Sequence, residues 1–194
     1  MRLAKILLIV SLAALTGCGM IIGQMMVAGT GVKRAEVVGG DLREFQRGAR
    51  TAILSPFATT EKSYHIARGD DEARLGEELS RRGVIAPLYT FLPNPGQAEK
   101  TLGELKGKSP AEVKEKLGLE EEPRYLLSGV ILYRDTVVAP MHGVVMEVSY
   151  RLLLEDLENG KTAVIEIEVK DLFRDALPHA ADAIDNLIRE KQKG

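Results

Sequence analysis

The stretch "VVMEVSYRLLLEDLENGKTAVIEIEVKD", residues 144–171, carries the most decisive pattern in the chain. Two runs alternate apolar and polar residues, the period of a strand with one buried face. Between them stands Asn159-Gly160, a pair favoured in two-residue hairpin turns because both positions take a left-handed backbone. Such a loop places Tyr150, Leu152 and Leu154 opposite Val169, Ile167 and Ile165 on one face, and Arg151 opposite Glu168 on the other. The prediction is an antiparallel hairpin whose apolar face needs a cover.

That cover is predicted at the end of the chain. In "LPHAADAIDNLIREKQKG" (177–194), Leu177, Ala180, Ala181, Ile184, Leu187 and Ile188 fall on one helical stripe, with His179 at its boundary. Upstream of the hairpin, "YLLSGVILYRDTVV" (125–138) reads as a strand and "PMHG" (140–143) as its turn. "ARTAILSPF" (49–57) is a short strand stopped by Pro56, and "VIAPLYTFLPNPG" (84–96) is a strand that Pro87 makes either an edge or irregular. Between them, "DDEARLGEELSRRG" (70–83) has acids at its amino end, arginines at its carboxyl end and Gly83 beyond, the signature of a helix with Leu75 and Leu79 inward. A weaker helical stretch covers 98–105. "SPAEVKEKLG" (109–118) is a helix with a Ser109/Glu112 capping box, Pro110 in its first turn and Gly118 as its stop. The order implies a two-layer α/β sandwich, a mixed sheet of about five strands with helices packed mainly on one face.

Composition narrows the chemistry. The 194 residues are 45% hydrophobic and 28% charged, an ordinary globular balance sufficient for one domain. Aromatics are 5% with no Trp, too few for a base-stacking platform. One cysteine, Cys18, cannot form an intramolecular disulfide, and His65, His142 and His179 lack metal-ligand spacing, so neither a metal nor a cofactor is expected. Gly29-x-Gly31 follows no predicted strand and is no phosphate cradle; Gly-x-Ser-x-Gly, His-Glu-x-x-His and Walker patterns do not occur. The runs Asp70-Asp71-Glu72 and Glu120-Glu121-Glu122 read as solvated charge rather than acid/base pairs. An enzyme is not expected.

The amino terminus has a basic start (Arg2, Lys5), an uncharged and mostly apolar run from Ile6 to Leu15, and small residues before Cys18, the parts of a secretory signal peptide. The quartet Leu15-Thr16-Gly17-Cys18 resembles the lipobox of bacterial lipoproteins. That resemblance implies cleavage between Gly17 and Cys18, a thioether from Cys18 to diacylglycerol, and acylation of the new amino group, for example by palmitate. Several acyl chains together hold a domain on a bilayer where one holds it only marginally. Gly19 stands where an Asp would favour inner-membrane retention, so the resemblance implies the outer membrane, facing the periplasm. An uncleaved anchor is the alternative, since Ile6 to Val32 carries no charge, but Gly17, Gly19, Gly23, Gly29 and Gly31 dilute its helix propensity. Without Arg2 and Lys5 the chain has 24 basic against 28 acidic residues, a net −4 that argues against a nucleic-acid partner. Residues 18–44, rich in glycine and methionine, read as the lipidated cysteine and a membrane-proximal tether, with the domain at 45–194.

The domain resembles the family that includes the TolB amino-terminal domain and CsgG-type curli-secretion lipoproteins. The matching stretches are "TAILSPF", "EARLGEELSRRGVI", "KLGLEEEPRYLLSGVI" and "YRLLLEDLENGKTAVI". The resemblance implies a lipid-anchored accessory or scaffold acting through contacts with an envelope protein, with oligomerisation as an option. Two further readings stay open: a subunit of a CsgG-like secretion assembly and a small-ligand-binding lipoprotein. The first calls for spare hairpins with strands of about 9 to 11 residues, and the long strands seen here are used by the domain sheet.

Overall fold

A computed structural model of the protein describes residues 22–63 and 70–193; the leader, the Leu15–Cys18 quartet and His65 lie outside the described residues. Strands β1 (Gly31–Gly40), β2 (Ala49–Ser55), β3 (Ala58–Thr59), β4 (Ile85–Phe91), β5 (Tyr125–Ala139), β6 (Gly143–Asp156) and β7 (Thr162–Leu172) form one sheet of order β1-β7-β6-β5-β2-β4, with β3 against β5. It is mixed: β2 runs parallel to β4 and β5, whereas β5, β6, β7 and β1 are successively antiparallel. The helices are α1 (Asp71–Arg81), α2 (Pro95–Leu105), α3 (Pro110–Leu117) and α4 (Ala176–Lys193).

The α/β sandwich read from the sequence is the fold observed. The main core lies on the face under α1 and α4, where Leu75, Leu79, Leu177, Ala180 and Ile184 meet Ile53, Tyr150, Leu152 and Ile167. Alternation along β2 and β5 sends Ala52, Leu54 and Leu126 to the other face, where α2 and α3 close a smaller core with Ala98, Leu105 and Val113. β4, with its Pro87, is an edge as expected. The capping box at α3 is complete in both directions, and Gly118 ends that helix at φ 64°.

Two expectations are corrected. The β6–β7 register is displaced by two residues: Tyr150, Leu152 and Arg151 face Ile167, Ile165 and Glu166. The loop is longer than Asn159-Gly160 because Asp156 organises it, accepting from Glu158 N (3.0 Å) and Asn159 Nδ2 (3.1 Å) while its carbonyl accepts from Gly160 N (2.8 Å). A shift of two keeps every side chain on its predicted face, so the pattern could not expose it. The second correction concerns the tether. Residues 31–40 form β1, which pairs antiparallel with β7 from Gly31–Lys170 to Gly40–Ala163 and supplies the sheet's other edge.

Candidate functional site

Upstream of β1 the chain meets the end of the sheet where β5 turns into β6. Residues 22–27 are helical, and Gly23 is buried against the turn, where an added Cβ would overlap the Pro140 carbonyl and come within 2.9 Å of His142 Cδ2. The last β6–β7 pair is Val145–Leu172, so Val144, Gly143 and the turn project beyond β7. The turn holds Pro140, Met141 and His142 between Ala139 and Gly143, closed by His142 N donating to Ala139 O (3.0 Å). Met141 sits at φ 68°, a conformation that costs a residue with a Cβ about 1–2 kcal/mol. It is also 82% exposed, and Val138 and Met25 are exposed to 71% and 72%. From Thr136 to Met146 eleven consecutive residues carry no Asp, Glu, Lys or Arg. That run is the signal sequence reasoning passed over.

A buried charge cluster anchors the base of this projection. A bulge between Ile131 and Tyr133 resets the alternation of β5 and turns Arg134 inward. Its Nη1 donates to Asp71 Oδ2 (2.7 Å), which also accepts from the Tyr150 hydroxyl (2.7 Å). Asp71 is 1% exposed and Arg134 3%, so the reading of Asp70-Asp71-Glu72 as solvated charge holds for Asp70 and fails for the other two. Glu72 is buried as well, accepting from Phe57 N; burial lifts its carboxyl above the usual range. Desolvation, reinforced by the neighbouring Asp71 carboxylate, pushes the Tyr150 hydroxyl well above its ordinary value. The cluster joins α1 to β5 and β6 through Asp71 Oδ2, while Asp71 Oδ1, Glu72 Oε2 and Arg134 Nε are buried without a hydrogen-bond partner among the described residues.

The remaining candidates are dispersed. Glu120, Glu121 and Glu122 are exposed, with Glu121 paired to Arg50 (2.6 Å), in keeping with solvated charge. His179 lies 2.7 Å from Asp171 at the start of α4, and His142 is in the exposed turn. Gly29 and Gly31 take φ of 73° and 117° in the approach to β1. A cleft of about 750 Å³ under the turn is lined by Arg74, Arg134, Arg174, His142, Val144 and Phe173, with the Arg74 guanidinium 5.2 Å from the Phe173 ring centroid. A more apolar cleft of about 350 Å³ lies on the opposite face, among Leu54, Ala98, Leu102, Val130 and Leu153. No group of three or more His, Cys, Asp or Glu residues spaced to hold a metal occurs among the described residues, and no helix there is long and apolar enough to cross a membrane.

No protein-family model matches the chain, and no curated protein sequence matches it. Among solved structures the chain is similar to PelC from Paraburkholderia phytofirmans, crystallised as a dodecamer. A single-residue variant of that dodecamer aligns at 18% identity and a TM-score of 0.47, over 82% of this chain and 97% of that one. A second crystal form aligns at 19% identity and a TM-score of 0.45, over 82% and 96%.

Proposed function

We propose that this protein is a lipoprotein of the cell envelope, cut between Gly17 and Cys18, lipidated at Cys18, held on the periplasmic face of the outer membrane, and acting through protein contacts rather than catalysis. The observation that carries the reading is the quartet Leu15-Thr16-Gly17-Cys18 closing a basic-then-apolar leader. Supporting it, Gly23, five residues after Cys18, packs against the turn at one end of the sheet, so an anchor there leaves the long sides of the sheet accessible. One of those sides is the β4 edge, where Phe91 is exposed and stacks at 6.1 Å on Tyr89, an aromatic pair of the kind that seats protein partners.

The test is metabolic labelling with palmitate followed by membrane fractionation. The parent chain is expected to incorporate label and to sediment with outer membranes, and Cys18→Ala to lose both. A parent chain that takes up no label would sink the proposal. A photoreactive residue in place of Phe91 is expected to crosslink to an envelope protein in cells expressing the lipidated form.

A further inference from the structure

We propose that the β5–β6 turn is a second membrane contact, with Val138, Met141 and Val144 resting in the headgroup layer of the bilayer that holds Cys18. The inference depends on the lipid anchor proposed above. It commits to a lipid surface as the occupant because of where the anchored segment meets the fold. Gly23 is packed against Pro140 and His142, and Cys18 precedes it by five residues. Five residues span at most about 18 Å even when fully extended. A lipid on Cys18 therefore brings the turn to within that distance of the bilayer.

The chemistry of the turn suits such a surface. A half-buried hairpin alternates apolar and polar side chains, but the tip is apolar on both of its faces, with Val137, Val138, Met141 and Val144 all exposed. Exposed Ile22 and Met25 belong to the segment packed against it. Met141 keeps an apolar side chain at a backbone conformation that Gly or Asn would adopt at lower cost, and it points that side chain outward at the apex. From the Val137–Val145 pair to the apex is about three residues, or roughly 10 Å. That reach matches the 5–10 Å to which interfacial elements enter a leaflet and falls well short of the 9–11 residues a spanning strand needs.

The test uses the full lipidated chain reconstituted into vesicles of phosphatidylethanolamine and phosphatidylglycerol that contain nitroxide-labelled lipid. Lipidation consumes the Cys18 thiol, so Met141→Cys offers a single site for an environment-sensitive fluorophore. Val138→Cys gives a second site free of the left-handed backbone. Lys161→Cys is the reference, in the loop at the far end of β6, about 40 Å away along the strand. Vesicle flotation is read first. In floated protein, probes at 138 and 141 are expected to be quenched at least about threefold more than the probe at 161, with blue-shifted emission. Equal quenching at all three sites in floated protein would overturn the tip contact while leaving the anchor intact. A parent chain that does not float would overturn the anchor and the tip contact together.

Discussion

Arg134 is a full charge buried within a strand, and the contacts that accept it explain why it is there. Its guanidinium reaches the Asp71 carboxylate, which also holds the Tyr150 hydroxyl, so one acid on α1 ties that helix to two central strands. Asp71 also stands in the first turn of α1, where the helix dipole favours a negative charge. Removing one partner from such a pair leaves a buried, uncompensated charge, whereas replacing both by apolar residues of similar volume is often near neutral. Arg134→Met is therefore expected to lower stability by about 3–5 kcal/mol in urea unfolding, and Asp71→Leu with Arg134→Met and Tyr150→Phe, which also removes the hydroxyl that Asp71 accepts from, to recover most of that loss. A single variant as stable as the parent would show that the pair carries no such strain. Sequence reasoning could not place this cluster. Strict alternation puts Ile131 and Tyr133 on the inner face and Arg134 outside, and the bulge that reverses this has no signature in "ILYRD". Cys18 is the opposite case: the role proposed for it rests on a short motif whose chemistry needs no tertiary context.

Elements bounded by local chemistry were readable, and those defined by pairing were less so. Helix α3 follows from Ser109, Pro110, Glu112 and Gly118, all within ten residues, and each performs its expected role. The β6–β7 hairpin was readable in its faces but not in its partners, because the period of two is blind to a slip of two. Strand β1 was hidden by its glycines, which suggested a linker. One of those glycines is required by the sheet itself. Gly40 has φ 73°, and a Cβ there would overlap the Thr162 carbonyl and lie 2.7 Å from its carbon. Backbone cannot swing aside as a side-chain end can. Gly40→Ala is accordingly expected to destabilise the domain by about 2–3 kcal/mol, read as a lower urea midpoint, from the left-handed penalty plus displacement of the β7 start. In a plain linker the same substitution would be neutral or slightly stabilising.

At the scale of the molecule, the proposed anchor would make the sheet a ruler with one end at the bilayer and the other free. β5 and β6 run its length, with the uncharged turn at one end and the Asp156 loop, Lys161 and the Glu120–Glu122 run toward the other. Because β1 belongs to the sheet and Gly23 already packs on the β5–β6 turn, the stretch between the proposed lipid and the fold shrinks from more than twenty residues to a handful, and distance from the bilayer becomes orientation relative to it. An anchor of about five residues would hold the turn at high effective concentration against the membrane. Twenty Gly/Ser residues inserted between Gly19 and Met20 would raise the r.m.s. reach to roughly 25–30 Å and lower that effective concentration about tenfold. Flotation should be unchanged, since the lipid is intact, while quenching of a probe at position 141 should fall toward that at 161. A tip that stays fully quenched on the long linker would show that its apolar side chains hold the bilayer by their own affinity and that the short anchor is not what orients the domain.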